Sequence, residues 1–355
     1  MSSEKKKRGG PAIPKRLLLT IIALVLLIII DVIKDPSFLH IGYVNGGLNG
    51  PLIDVIRDSA PFLMIAVGMT LVISTSGIDL SVGASMAVAG AVAMQFMHNT
   101  NGTGLGSALL AIVLALGVCA LIGAWNGLLV SGLGLQPFIT TLIMMLAGRG
   151  IAKTITSGEN TSAVNSAFSW IDTGYVLGIP FAFILATLIV LAVAALMRKT
   201  ALGMMIESVG VNPEASRMGG LKPKRVIFSV YLISAILAGM AGVFTTGNVM
   251  RVTPSQTGLS YEMDAVLAVV IGGTSLLGGK FSLSGAYLGA MIISLLEKTI
   301  VWLGISNAAT PAFKAIIVIA ICVLQSNFFT NALKKMRSKK QSKAAMTAAR
   351  EGAAA

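Results

Sequence analysis

The chain is divided into repeated apolar runs about as long as the ~20 residues that a helix needs to cross a bilayer. Nothing else in the sequence limits the possible folds so strongly. Inside hydrocarbon a backbone has no water to bond, so a crossing segment must satisfy its own amides and carbonyls. Long continuous apolar runs do this as helices. Composition agrees: 55% of the 355 residues are hydrophobic and 12% are charged, where a soluble globule carries about a quarter charged. The mean hydropathy is +0.85. The expected fold is an all-α integral membrane protein with about ten transmembrane helices.

In chain order, residues 1–16 form a basic tail, residues 17–328 the membrane domain, and residues 329–355 a second basic tail expected to be disordered. The apolar run Leu17–Ile30 has the basic and apolar parts of a signal peptide, but no small-residue cleavage site follows at Asp31-Val32-Ile33-Lys34. It is read as an uncleaved first span. Further spans are expected at 53–74, 80–97, 106–130, 136–153, 180–198, 226–246, 263–277, 283–303 and 311–325. An even number of spans puts both tails and the hydrophilic stretch 198–225 on one side, and these are the basic segments. Lys- and Arg-rich short loops stay in the cytoplasm, so both termini are expected there, and the net charge of +13 reads as orientation and lipid contact. Aromatics are not interleaved with the basic residues as nucleic-acid binding would want. Arg149, Lys153 and Arg251 fall near the far side and need a local anion or a route to the interface.

Within 198–225, Asn212-Pro213-Glu214 followed by Gly219-Gly220 spells a very short helix. Asn212 can cap it, and Pro213 suits a first turn whose N–H has no partner. Glu214 faces the positive end of the dipole, Arg217 the negative end, and the glycines stop the helix. A capped helix held out from a membrane is a handle for a soluble partner; an ordinary connector would carry the same signals.

Two polar breaks form a faint internal repeat. Gly77-Ile78-Asp79-Leu80-Ser81-Val82-Gly83-Ala84 matches Gly279-Lys280-Phe281-Ser282-Leu283-Ser284-Gly285-Ala286 in its first Gly and closing Gly-Ala. Glycine-interrupted segments in corresponding places of two halves point to a transport pathway. Asp79 and Asp264 each open a span, where a carboxylate either caps free N–H groups or faces the pathway. Asn126 and Gln136 could contact a hydroxylated solute or bond between helices. Gly285 and Gly289 have the spacing for close helix packing. Cys119 and Cys322 read as small core residues, and His40 and His98 as interfacial side chains, which leaves no metal site. The stretch Thr274–Phe281 imitates a phosphate loop, but the first Gly and the Ser or Thr after Lys280 are missing. No catalytic constellation stands out.

Taken together, GMTLVISTSGIDLSVGA (68–84), WNGLLV (125–130), LQPFITTLIMMLAGRG (135–150), TALGMMIESVGVNPEASRMGG (200–220) and MDAVLAVVIGGTSLLGGKFSLSGAYLGA (263–290) resemble the membrane-spanning subunit of bacterial ABC importers for simple sugars. These are the ribose, xylose, galactose and galactofuranose permeases, the galactofuranose type being nearest. The resemblance implies a type II importer fold with two pseudo-related halves, in the bacterial inner membrane. It implies a second permease subunit, identical or paralogous, an extracytoplasmic sugar-binding protein, and cytosolic ATP-binding subunits that hold the ATP and Mg. The family's coupling segment matches Gly210, Asn212, Glu214, Ala215, Ser216 and Gly219, with Arg217 inside it, which favours the handle over the connector. The other readings are a branched-chain amino-acid permease of the same importer class, an ion-coupled secondary transporter, and a receptor or scaffold. Ion coupling would want ionisable residues in mid-span, whereas the acids here gather at span ends.

Overall fold

The computed structural model describes residues 15–44, 46–306 and 309–325. Residues 1–14 of the first expected tail, all of the second (329–355), residues 326–328 and the side chain of Cys322 lie outside the described residues. Among the described residues, thirteen α-helices follow one another: α1 (Lys15–Lys34), α2 (Pro51–Ser74), α3 (Val82–Thr100), α4 (Leu105–Ser131), α5 (Pro137–Ile155), α6 (Ser166–Thr173), α7 (Phe181–Lys199), α8 (Ala201–Val211), α9 (Pro213–Met218), α10 (Pro223–Val249), α11 (Tyr261–Ile271), α12 (Leu283–Trp302) and α13 (Thr310–Gln325). Proline opens α2, α5, α9 and α10, where its missing N–H costs no bond.

Seven of these helices are long and apolar enough to cross a membrane: α1, α2, α4, α5, α7, α10 and α12. The expected boundaries shift outward by a few residues, as at α1, which runs on to Lys34, and at α10, which reaches Val249. The eighth expected span, 263–277, does not form as one. Its helix, α11, has 11 residues, about 16 Å at 1.5 Å per residue, against ~30 Å of hydrocarbon. The apolar run continues, but Gly273 takes φ +84° and the chain from Gly272 to Ser282 is irregular. Hydropathy carries across that stretch; helical backbone does not.

Helix α2 is the axis of the molecule. From Ser59 to Ser74 every residue is buried, beneath α10, α12, α7 and α11. Helix α3 packs on α10, α4 and α5. The outer faces of α1, α4, α5 and α7 bear exposed Leu, Ile and Val, such as Leu109, Val113 and Leu121 of α4, the surface a lipid-facing helix presents. At the end opposite α8 and α9, three short antiparallel pairs tie the connections together: β1 (Gly42–Val44) with β2 (Gly47–Asn49), β3 (Thr161–Ser162) with β6 (Arg251–Val252), and β4 (Tyr175–Val176) with β5 (Ile179–Pro180).

Several charged groups within the helices have partners on other helices. Asp31, buried on α1, accepts from the Thr299 hydroxyl at 2.7 Å. Lys314 of α13 bonds Asp264 of α11 at 3.0 Å and Glu297 of α12 at 2.6 Å. An unpaired charge there would cost several kcal/mol, so the triad fixes α13 on the α11–α12 hairpin.

Candidate functional site

The short helix α9 forms as its residues dictate. The Asn212 side chain accepts from the Ala215 N–H at 2.9 Å, and Pro213 takes the first position. Arg217 donates from Nε and Nη2 to the Glu214 carboxylate, at 3.1 and 2.5 Å. Arg217 holds that carboxyl below its usual range, in an exposed pair. Gly219 is the C-cap, and Gly220 takes φ +85°. Helix α8, immediately before it, was not anticipated. Its signals are Thr200, whose hydroxyl accepts from the Leu202 N–H, and Gly203, Ile206, Val209 and Gly210, which are buried at helical spacing.

Both polar breaks converge on the end of α8. A Cβ on Gly210 would collide with the Ser74 carbonyl at the end of α2. That carbonyl accepts from the Gly279 N–H at 2.9 Å. The Ser76 hydroxyl lies 2.8 Å from the Gly210 carbonyl and 3.0 Å from the Leu277 carbonyl. Close approach of three backbones is possible because Gly210, Gly278 and Gly279 carry no side chain, and the last two take φ +86° and +87°. The breaks paired by the internal repeat therefore touch each other and α8.

The first break is secured by side chains. Asp79, 1% exposed, accepts from the Ser81 N–H (3.0 Å), the Ser81 hydroxyl (2.6 Å) and the Ser234 hydroxyl of α10 (3.2 Å). The expected cap on α3 is thus corrected: Asp79 precedes the helix by three residues and bonds the Ser81 turn, and no side chain caps α3. Fully buried Asn126 of α4 donates to the Ser81 hydroxyl at 2.9 Å, and Thr141 of α5 to the Ile78 carbonyl at 3.1 Å. Three helices are joined to one turn.

Asp79 and Asn126 thus belong to one network, and the other two predicted polar residues lie apart from it. Gln136 is exposed at the start of α5 and makes no capping bond. Asp264 lies one turn inside α11, which opens at Tyr261, and is bound to Lys314 rather than to free N–H groups. That corrects its expected capping role. The Ser282 hydroxyl caps α12 by accepting from the Gly285 N–H at 3.0 Å. Gly285 and Gly289 lie against the Gly272 and Ala268 carbonyls, so α12 and α11 touch backbone to backbone. Arg149 donates to the Thr257 and Pro254 carbonyls of the loop before α11 and lies close enough to the Glu262 carboxylate to interact with it.

Towards the strand-bearing end, a cavity of about 280 Å³ opens among Asp58, Phe62, Asp172, Asn248, Tyr261 and Glu297. Phe62 and Tyr261 stack at 4.9 Å, and Asn248 donates to Asp172 at 2.6 Å. Burial pushes the Asp172 carboxyl up to about 6. Carboxylates and an amide beside an aromatic face suit a hydroxylated solute. Five helices supply these residues, so no local sequence pattern announces the cavity. Among the described residues, no group of three or more His, Cys, Asp or Glu side chains could hold a metal.

A family model described as branched-chain amino acid transport system / permease component matches residues 52–323. The fructose import permease protein of Bifidobacterium longum (strain NCC 2705) is 54% identical, across 96% of this chain and 98% of its own length. The galactofuranose transporter permease protein of Escherichia coli (strain K12) is 39% identical, across 90% and 92%. The ribose import permease protein of the same strain is 36% identical, across 87% and 92%. No solved structure matches the chain.

Proposed function

This chain belongs to the branched-chain amino acid transport system / permease component family, beside its sugar import permeases, and on that premise we propose how it moves a sugar. It lies in the bacterial inner membrane with both termini and α8–α9 in the cytoplasm. With a second permease subunit it encloses the pathway for a monosaccharide delivered by an extracytoplasmic binding protein. The 54% identity to a fructose import permease makes a ketohexose the first substrate to test. ATP and Mg belong to cytosolic ATP-binding subunits, which dock on α9 through Asn212, Glu214, Ala215, Ser216, Arg217 and Gly219.

The observation that carries this reading is the contact of Gly210 with both broken segments. When ATP draws the two cytosolic subunits together, α9 moves and α8 moves with it. Because the Ser74 and Gly279 backbones lie against α8, the entrances to α3 and α12 shift as well. Interfaces of packed backbone switch between discrete arrangements rather than deforming smoothly, which turns a small pull into a change of access. Asp79 and Asn126 hold the first entrance together during the movement, while Gln136 and Asp264 lie nearer the two mouths of the route.

The test is purification of the importer from native membranes, with ATP hydrolysis and sugar uptake measured for the natural chain and for Ser216→Pro. That substitution removes the Ser216 N–H bond to the Asn212 carbonyl, the first backbone bond of α9. Loss of the co-purifying ATPase and of uptake, with membrane insertion intact, is the expected result. Normal uptake by the variant would remove α9 from the mechanism.

A further inference from the structure

The imitation phosphate loop has a conformation that its sequence alone does not explain. Leu277, at the tip of the turn between α11 and α12, is 88% exposed. The turn beneath it is firmly held. Leu277 N–H donates to the Ser275 hydroxyl at 3.2 Å, its carbonyl faces the Ser76 hydroxyl, and the Gly279 N–H bonds Ser74. With Gly278 and Gly279 both left-handed, the backbone has little freedom to turn the side chain inward. A fixed turn that displays a leucine is a surface made for contact.

The neighbours of this leucine indicate what it contacts. A Cβ on Gly279 would lie 3.1 Å from the Val211 side chain, so the turn adjoins the end of α8. Val211 is itself exposed, as is Met218 at the end of α9. Lys280 beside the turn, and Arg217, Lys222, Lys224 and Arg225 around α9, give the patch a basic rim. Its setting is water rather than lipid, because the unburied charges of Glu214 and Arg217 on α9 would be costly in hydrocarbon.

We infer that the turn Ser275–Lys280 is a second docking point for the ATP-binding subunit, with Leu277 entering an apolar cleft that has an acidic rim on that subunit. This rests on the reading of α9 as the first docking point. It gives each permease two contacts with its partner, one through α9 and one through the turn before α12. Pulling on both would move α12 directly as well as through α8.

The decisive experiment places the photo-reactive amino acid benzoylphenylalanine singly at positions 277, 214 and 177 in the complete importer, in membranes. Position 214 tests α9; position 177, exposed on the opposite end, is the control. After illumination, adducts of the ATP-binding subunit are expected from 277 and 214 and not from 177. An adduct from 214 with only lipid or nothing from 277 overturns the second docking point and leaves α9 standing. Adducts from neither overturn both. As a functional measure, Leu277→Asp should lower sugar-stimulated ATP hydrolysis about tenfold, as loss of an interface anchor does, while Leu277→Met preserves it. Full activity of Leu277→Asp would also overturn the proposal.

Discussion

The segments before α3 and α12 share a repeat pattern and are held in opposite ways. Ahead of α3, Asp79, Ser81, Ser234, Asn126 and Thr141 bind one turn to three helices, and Asp79 is buried among neutral partners. Ahead of α12 the turn is held by backbone bonds, by glycines and by the short-range hydroxyls of Thr274, Ser275 and Ser282, and its tip stands in the open. One break is built to stay; the other has a framework with a free surface. A duplicated element can thus keep its geometry while its two copies divide anchoring from contact.

The largest effect should come where the two copies meet. Gly210→Val places a branched side chain against the Ser74 carbonyl and the Gly279 amide, neither of which can rotate away. Sugar uptake in vesicles should fall to background while the protein still reaches the membrane. Uptake near normal would mean that the breaks do not communicate here. Next comes Asp79→Leu, which strips three hydrogen bonds from a buried turn and should cost about 3 kcal/mol. Thermal unfolding in detergent measures it, with Asp79→Asn as the milder companion.

The matching change in the other copy, Ser282→Ala, removes one cap and should cost about 1 kcal/mol. Equal losses for Asp79→Leu and Ser282→Ala would erase the contrast drawn between the breaks. Smallest of all is Glu214→Gln, which loosens an exposed ion pair on α9 and should leave the unfolding temperature unchanged. A clear drop would show that α9 is braced by more than its cap.

The sequence revealed the helices wherever a continuous apolar run coincided with continuous backbone hydrogen bonding, as in α4 or α7. It misled at 263–277, because hydropathy does not register that Gly272 and Gly273 end the helix. Helix α9 was legible from Asn212 and Pro213, whose effects are local. Helix α8 was overlooked because a hydrophilic stretch reads as connector even when Gly203, Ile206 and Gly210 keep helical spacing. The groups that hold the Ile78–Ser81 turn come from α4, α5 and α10, and Lys314 meets acids on two other helices. Such meetings depend on tertiary placement, as does the cavity lined by Asp58 and Asp172. The acids are not confined to span ends either: Glu297 lies well inside α12.

The bond from Gly279 to Ser74 also sets an order of assembly. Helix α2 is made early, yet α7, α10, α11 and α12, which enclose it, leave the ribosome later. Until the turn before α12 arrives, the buried end of α2 lacks the amide that completes it in the finished molecule. A nascent chain stopped short of Gly279 carries an open polar group at its centre, so a late part of the membrane domain closes an early one.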